Sequence, residues 1–184
     1  MTRPSVEREL KFAGVDLERL RERLTELEAE RIRPAAFEDN LVLDRQGELQ
    51  KAGCLLRVRS DGHRARLTFK GPPSFEGRTK LRLEHEAEFD DLGELTAILE
   101  SIGFEVARRY QKYREEWRLG GVAVALDHTP IGDFAEFEGE GAEKLARRCG
   151  FDPGSAERRT YLRLYDDFVK EHPEAPAEMV FSDD

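Results

Sequence analysis

The chain has 184 residues, of which 39% are hydrophobic and 38% are charged, and its formal net charge is −9. This length is sufficient for one domain with a buried core, and the 11 phenylalanines argue against a disordered chain. The acidic balance argues against a general nucleic-acid surface, because binding to a phosphate backbone requires a basic excess. Any anionic ligand must therefore be held by a local cluster of lysines and arginines.

Cysteine content and hydropathy indicate the cellular compartment. Cys54 and Cys149 are the only cysteines, and they offer neither a disulfide framework nor the spacing of a zinc site. The N-terminus has no apolar stretch typical of a signal peptide, and no run approaches the ~20 apolar residues of a membrane span. We therefore expect a soluble, cytoplasmic protein that binds neither membranes nor nucleic acid.

Hydrophobic periodicity predicts strands and helices in chain order. A first strand over 5–12 precedes an amphipathic helix over 17–30, in which leucines recur every three or four residues. The remaining predicted strands lie at 36–43, 54–59, 64–70, 80–89, 106–119, 122–127 and 134–138. The remaining predicted helices lie at 92–101, 141–149 and 155–171, with a turn at 44–48, a hairpin turn containing His63 at 60–63 and a mobile loop at 74–78. Residues 1–171 then form one domain, and 172–184 are expected to be a flexible acidic tail.

The polar faces of the predicted strands carry charges of both signs where neutral polar residues usually face water. Arg57 and Arg59 share a face in one strand, and Lys112 and Arg114 share a face in another. Two arrangements fit this pattern. The charged faces lie outside an ordinary barrel, or they converge inside a wide one whose outer apolar faces are covered by helices. The strand patterns alone leave both arrangements open.

The first strand has the most unusual polar face. Glu7, Glu9 and Lys11 share that face at a spacing of about 7 Å, because successive side chains of a strand point to opposite sides. Carboxylates are ligands that Mg²⁺ and Mn²⁺ prefer, and a lysine beside them suits a phosphate oxygen. Taken alone, the same pattern is typical of an edge strand with a solvated charged face.

An ordered series of motifs continues from this strand along the chain. The series is Glu7-x-Glu9-x-Lys11, Leu56-Arg57-Val58-Arg59, Thr68-Phe69-Lys70, Arg82-x-Glu84-x-Glu86, Lys112-Tyr113-Arg114, Asp127, Gly132-x-Phe134-x-Glu136-x-Glu138 and Thr160-Tyr161. In this order the motifs resemble the CYTH, or triphosphate tunnel metalloenzyme, family over about residues 5 to 165. The resemblance implies an α+β fold in which an antiparallel β-barrel of about eight strands has a charged interior and is surrounded by helices.

The resemblance also implies the residues of a site. Cationic side chains would bind the phosphates of a triphosphate: Lys11, Arg57, Arg59, Lys70, Arg82, Lys112 and Arg114. Carboxylates would hold one or two Mg²⁺ or Mn²⁺ ions: Glu7, Glu9, Glu84, Glu86, Asp127, Glu136 and Glu138. Within these sets, Lys11 and Lys70 are expected to be catalytic because they would orient the reacting phosphate.

The implied function is metal-dependent hydrolysis of inorganic tripolyphosphate or of a small organic triphosphate such as thiamine triphosphate. Class IV adenylyl cyclases belong to the same family, so conversion of ATP to cyclic AMP and pyrophosphate is the alternative. The His-Phe pair that often precedes the first motif in such cyclases is missing here, which mildly favours hydrolysis. A non-catalytic nucleotide- or polyphosphate-binding module is the third interpretation, and a homodimer is compatible with all three.

Overall fold

The computed structural model describes residues 5–60 and 65–182, except for the side chain of Ser5. Within these ranges the chain forms nine strands, five α-helices and a 3₁₀ turn at Pro153–Ser155. The strands are β1 (Ser5–Ala13), β2 (Glu30–Asp44), β3 (Leu55–Ser60), β4 (Ala65–Lys70), β5 (Ser74–Glu76), β6 (Thr79–Phe89), β7 (Glu105–Leu119), β8 (Val122–Thr129) and β9 (Gly132–Glu138). The helices are α1 (Leu17–Glu26), α2 (Glu48–Lys51), α3 (Leu92–Ser101), α4 (Ala142–Arg148) and α5 (Tyr161–Glu171). In the described part of the chain, every helix is too short or too polar to cross a membrane.

The strands form one sheet in the order β1-β9-β8-β7-β2-β3-β4-β6-β5. An additional pairing between β1 and β6 closes eight of these strands into a ring, and the short β5 is attached to β6. Neighbouring strands pair antiparallel throughout. The structure therefore confirms the predicted antiparallel sheet of about eight strands with helices around it.

Strand β1 is the element at which the ring closes. Its Glu9 lies opposite Lys80 in β6 on one side and opposite Glu138 in β9 on the other. Its Lys11 lies opposite Glu136 in β9. Because directly opposed residues of paired strands point to the same face, these charged side chains converge on the interior of the ring.

Two of the three hydrophobic clusters lie between the outer face of the ring and the helices. Leu10 and Phe12 of β1 form one cluster with Leu20 and Leu24 of α1. These leucines are four residues apart and therefore share one helix face. Helix α3 covers another part of the outer face through Leu95 and Leu99. Helix α5 instead packs through Tyr161 and Tyr165 against Tyr110 and Phe134, which lie on the inner faces of β7 and β9. The ring is consequently apolar outside, where helices cover it, and charged inside.

Helix α1 is shorter and β2 is longer than the sequence predicted. Helix α1 ends at Glu26, Glu28 adopts a left-handed φ of 57°, and β2 begins at Glu30 instead of residue 36. The strand passes through Pro34, which has no N–H to donate. Register shifts against β7 between residues 31 and 33, and again between 33 and 36, accommodate the proline as bulges.

Other elements also differ from the prediction. The helix expected over 155–171 is divided into the 3₁₀ turn, an extended segment and α5. The backbone N–H of Glu157 donates to the carbonyl of Lys11 at 2.7 Å, which holds the extended segment against β1. The expected turn at 44–48 contains the first residue of α2, and the expected loop at 74–78 contains β5. His63, with most of the expected turn at 60–63, lies outside the described residues.

The segment 172–182, predicted to belong to a flexible tail, contacts β7 and β8. The backbone N–H of Gln111 donates to the carbonyl of Met179 at 2.8 Å, and the side chain of Met179 is fully buried. The Phe181 ring stacks on His128 with ring centroids 5.5 Å apart. Met179 therefore joins the cluster of Tyr110 and Phe134 on the inner faces of the strands, whereas Phe181 packs on the outer face of the ring.

Candidate functional site

The ring of strands encloses a cavity of about 410 Å³, which is a typical size for a small-molecule site. Of the described residues that line it, ten are lysines or arginines and seven are glutamates, an excess of three positive charges. Thirteen of the fourteen site residues predicted from the sequence line this cavity: Glu7, Glu9, Lys11, Arg57, Arg59, Lys70, Arg82, Glu84, Glu86, Lys112, Arg114, Glu136 and Glu138. The strands therefore bring together residues that span most of the chain.

Lys70 joins two of the glutamates. Its Nζ donates to Glu7 Oε1 at 2.6 Å and to Glu84 Oε2 at 2.9 Å. Burial disfavours the charged ammonium, but the carboxylates of Glu7, Glu84 and Glu9 together outweigh this effect and raise the pKa of Lys70. The second oxygen of Glu7 is buried and has no hydrogen-bond partner among the described residues.

Lys11 lies between two carboxylates and an aromatic ring. Its Nζ is 3.2 Å from Glu136 Oε1 and 3.8 Å from Glu9 Oε1. The same ammonium lies 4.0 Å from the centroid of the Tyr161 ring. Burial disfavours the charged form of Lys11, but Glu136 and Glu9 outweigh burial and raise its pKa. Lys11 is therefore held as a cation at the wall of the cavity.

Asp127 lies beneath the wall, and it is the one predicted site residue that does not line the cavity. It is fully buried, and its Oδ2 accepts hydrogen bonds from Lys112 at 3.1 Å and from the Tyr161 hydroxyl at 2.7 Å. Arg114 donates to both carboxylate oxygens, from Nε at 2.7 Å and from Nη2 at 2.5 Å. Burial alone would raise the pKa of Asp127, but Arg114 and Lys112 lower it. In this arrangement Asp127 anchors two cations that face the cavity.

The arginines of β3 and β6 are oriented by hydrogen bonds and ion pairs with neighbouring residues. Arg57 donates to the Tyr110 hydroxyl at 3.1 Å, and its buried Nε has no hydrogen-bond partner among the described residues. Arg59 Nη1 is 3.1 Å from Oε1 of Glu38, which is fully buried. Arg82 donates to two backbone carbonyls, those of Gly53 and Gly71. These contacts orient guanidinium groups whose geometry matches phosphate oxygens.

Glu138 differs from most glutamates of the cavity because it makes no ion pair with a described residue. It is solvent-exposed at the mouth of the cavity, but the surrounding protein and the nearby charges of Glu7, Glu84 and Glu9 raise its pKa to about 7. Glu86 is also exposed, and it accepts a hydrogen bond from Thr68 at 2.9 Å. The charge of Glu138 is thus opposed by three carboxylates and only partly offset by Lys70, so an additional cation would stabilise it.

The donor set fits a hard divalent cation. Within residues 5–60 and 65–182, no three His, Cys, Asp or Glu side chains already form a compact metal-binding group. The unpartnered buried oxygen of Glu7 and the unpaired carboxylate of Glu138 are nevertheless the kind of ligand that Mg²⁺ and Mn²⁺ take. Glu7, Glu84 and Glu138 are the residues that would hold such an ion.

The predicted site set did not include several charged residues that line the cavity, Lys80, Arg66, Glu116 and Arg118 among them. Lys80 and Tyr110 line the cavity, and Glu38 lies behind Arg59. Lys80 could have been found, because it shares a face with Arg82 and Glu84 in an alternating strand. Tyr110 carried the same signal, because it shares a face with Lys112 and Arg114. Glu38 carried none, since its role depends on contacts with strands distant in sequence.

A comparison with protein families matches the CYTH domain to residues 5–161. The chain belongs to the CYTH domain family. Members of this family include triphosphatases and adenylate cyclase-like proteins, and its enzymes generally use divalent metals. No curated protein matched the sequence.

Solved structures agree with this assignment. A protein from Vibrio parahaemolyticus, described as a candidate adenylate cyclase, is 22% identical with a TM-score of 0.78, over 89% of this chain and 99% of that one. The PH1819 protein from Pyrococcus horikoshii is 29% identical with a TM-score of 0.73, over 88% of this chain and 99% of that one. The HpAC1 protein from Hippeastrum is 18% identical with a TM-score of 0.53, over 91% of this chain and 87% of that one. The described fold of this CYTH protein is therefore shared along nearly its whole length.

Proposed function

We propose that this CYTH protein is a divalent-metal-dependent triphosphatase that hydrolyses inorganic tripolyphosphate or a small organic triphosphate such as thiamine triphosphate. One observation supports this most strongly: the cavity has an excess of three positive charges although the chain has a net charge of −9. Such a cavity attracts a small, highly charged anion, while the rest of the acidic surface repels larger polyanions. The Hippeastrum protein, which has the same fold, is described as having a dominant triphosphatase activity.

The basic residues have the chemistry needed to bind a phosphate chain. Arg57 and Arg59 project from neighbouring positions on one face of β3, and both are largely buried. Guanidinium groups can bind phosphate oxygens in pairs, and burial strengthens these interactions because less solvent screens them. Lys112 and Arg114 add two charges from β7, on a strand that does not neighbour β3 in the ring. A bound triphosphate would thus be held from several sides.

The proposed reaction is an in-line attack by water on the terminal phosphorus. A bond forms from the water oxygen to phosphorus as the bond from that phosphorus to the bridging oxygen breaks, and phosphate and the remaining diphosphate leave. Lys11 and Lys70 would orient the reacting phosphate and neutralise its developing charge. A bound divalent cation, held by Glu7, Glu84 and Glu138, would supply charge neutralisation and a more acidic water.

A product assay with a charge-deleting variant tests this proposal. Purified protein with Mg²⁺ or Mn²⁺ is incubated separately with tripolyphosphate, thiamine triphosphate and ATP, and both phosphate and cyclic AMP are measured. We expect phosphate release, and a loss on the order of 100-fold or more in Arg57→Met. Arg45→Met is the matched control, because Arg45 lies on the surface, where it pairs with Glu48.

The other outcomes of this assay separate the alternatives. Cyclic AMP with pyrophosphate as the main products of ATP would identify a cyclase instead of a hydrolase. Saturable binding of triphosphates without either product would identify a binding module. Equal activity in Arg57→Met and Arg45→Met would show that the reaction does not take place in this cavity.

A further inference from the structure

Tyr110 lies where the apolar and the charged parts of the ring interior meet. Its ring belongs to the cluster that contains Phe134 and Tyr161, whereas its hydroxyl contacts the guanidinium group of Arg57 on the cavity wall. The residue is only 6% exposed. Because a buried tyrosine usually uses its hydroxyl in hydrogen bonds, the partners of this hydroxyl indicate what Tyr110 does.

The contact with Arg57 leaves the hydroxyl hydrogen of Tyr110 without an acceptor. A guanidinium group can only donate, so Arg57 Nη1 is the donor at 3.1 Å and the tyrosine oxygen is the acceptor. Asn40 lies directly opposite Tyr110 in β2, but its buried Oδ1 accepts no hydrogen bond from a described residue. The two buried carboxylate oxygens of Glu38 likewise accept none from the described part of the chain.

A second donor on the same guanidinium group is also unused. The buried Nε of Arg57 has no hydrogen-bond partner within residues 5–60 and 65–182. A buried donor without an acceptor is costly, and here two such donors lie close together, one charged and one neutral. Phosphate oxygens carry several lone pairs, so one bound phosphate group can accept from both donors.

We propose that Tyr110 is a further substrate-binding residue, whose hydroxyl donates a hydrogen bond to a phosphate oxygen of the group that Arg57 binds. This role requires a triphosphate in the cavity and so rests on the proposed function. Donation by Arg57 to the tyrosine oxygen polarises the O–H bond, which makes the hydroxyl a stronger donor. Burial alone would raise the pKa of Tyr110, but Arg57 and Lys112 outweigh burial and lower it.

A neutral donor differs from the cations of the cavity in what it recognises. Lysine and arginine attract an anion through their charge over some distance, whereas a hydroxyl contributes only when an oxygen lies at hydrogen-bond distance and in the right direction. Tyr110 therefore contributes more to the position of the phosphate chain than to the general attraction of anions.

Binding of tripolyphosphate in EDTA, measured by calorimetry, tests this inference. Tyr110→Phe keeps the ring and removes only the hydroxyl. We expect this variant to bind tripolyphosphate about tenfold more weakly than the wild type, because hydrogen bonds to charged groups are stronger than those between neutral groups. Tyr113→Phe is the matched control, since Tyr113 is 44% exposed on the outer face of the same strand, and it should bind as the wild type does.

A double-mutant cycle separates direct contact with the ligand from an effect that acts through Arg57. If Tyr110 binds phosphate itself, Arg57→Met/Tyr110→Phe should bind tripolyphosphate at least about threefold more weakly than Arg57→Met. Equal affinities of these two variants would show that the hydroxyl only orients Arg57, and the inference would be wrong. Equal affinities of the wild type and Tyr110→Phe would also overturn it.

Fluorine NMR replaces this comparison if thermal unfolding shows that Tyr110→Phe does not fold. The chain has four tyrosines, so after labelling with 3-fluorotyrosine the Tyr110 resonance is assigned by replacing each of the other three with phenylalanine. Saturation with tripolyphosphate should shift this resonance in the wild type. A Tyr110 resonance that does not move when the ligand binds would contradict the contact.

The binding measurements are independent of turnover. Weaker binding by Tyr110→Phe in a protein that releases no phosphate would contradict the proposed hydrolysis and support the contact. Phosphate release by a protein whose affinity is unchanged in Tyr110→Phe would support hydrolysis and overturn the contact. The two failures are therefore distinguishable.

Discussion

Lys112 shows how single buried charges are kept in this protein. It is among the largest fully buried side chains, and its Nζ is 3.1 Å from Asp127 Oδ2 and 3.8 Å from Glu38 Oε2. A buried ion pair recovers its desolvation cost only with close partners, and removing one partner leaves an uncompensated charge. Both Glu38 oxygens lack a hydrogen bond within the described residues. Such an arrangement contributes more to a defined site than to stability.

Glu138 gives the site a pH dependence that can be measured in the absence of metal. Its pKa in the folded protein, about 7, lies above the ordinary value of 4.5, so folding favours the protonated form. The empty protein should therefore lose stability as the pH rises from 4.5 to about 7. We expect Glu138→Gln to unfold at a higher temperature than the wild type above pH 7 in EDTA. This advantage should shrink as the pH falls and be absent below 4.5.

The control for this experiment is Glu140→Gln, which changes an exposed glutamate just after β9. The unfolding temperature of Glu140→Gln should differ little from that of the wild type, and the difference should not depend on pH. An advantage of Glu138→Gln that is the same at pH 5 and at pH 8 would contradict the explanation based on the carboxylate.

At the scale of elements, helix α1 contributes to folding through one apolar face. Asp16 caps its N-terminus by accepting a hydrogen bond from the backbone N–H of Arg19 at 3.0 Å. Leu24 is fully buried in the cluster that contains Leu10 and Phe12. The helix therefore covers the outer side of β1, whose inner side carries Glu7, Glu9 and Lys11.

Shortening Leu24 should destabilise the whole fold. We expect Leu24→Ala to lower the free energy of unfolding by about 2–5 kcal/mol, because it removes buried methyl groups and leaves a cavity. Ile98→Ala on α3 is the control, since Ile98 is 54% exposed, and it should change stability by no more than about 0.5 kcal/mol. Denaturant unfolding of both variants provides the measurement. Similar losses of unfolding free energy in Leu24→Ala and Ile98→Ala would show that α1 does not pack as described.

The strand and helix types could be predicted because alternation and leucine spacing are local patterns. Helix α3 was predicted with its observed bounds, and β1 was predicted to within one residue. The bulged start of β2 was missed, because Pro34 is tolerated only through irregular pairing with β7. Helix 155–171 was predicted too long, because the hydrogen bond between Glu157 and Lys11 competes with helical structure and joins distant parts of the chain.

The residues of the cavity were predictable only in part, again because some of their contacts join strands that are distant in sequence. Period-two spacing and the family resemblance identified charged faces, and thirteen of fourteen predicted residues line the cavity. The position of Asp127 beneath the wall could not be predicted, because it depends on Tyr161 from α5. The contact between Lys80 and Glu9 likewise depends on the register of β1 against β6, which no local pattern specifies.

At the scale of the whole molecule, the wall of the cavity is net positive although the chain as a whole is net negative. The chain has a net charge of −9, but the described residues of the cavity wall carry an excess of three positive charges. The ring separates the two regions, because its apolar outer face and covering helices keep the surface acids away from the cavity. Anions should therefore bind inside the ring without help from the overall charge of the protein.

Tripolyphosphate should stabilise the folded protein even in EDTA. A ligand that binds only the folded state at a concentration 100 times its Kd adds about 2.7 kcal/mol to the free energy of unfolding. We expect a rise in the unfolding temperature that is reduced strongly in Arg57→Met and retained in Arg45→Met. Thermal unfolding at several salt concentrations measures this effect, which should weaken as salt increases. An equal rise in both variants would place the bound anion outside the cavity.

The double pairing of β1 also determines when the fold can be completed. During synthesis β1 emerges before either of its neighbours, and its partners β6 and β9 end at residues 89 and 138. Until both have left the ribosome, β1 has two unsatisfied edges, which in an unfinished chain are sites for incorrect pairing. Because closure joins strands that are far apart in sequence, it should be a slow, late step of folding. The charged interior is consequently assembled only after nearly the whole sheet has been synthesised.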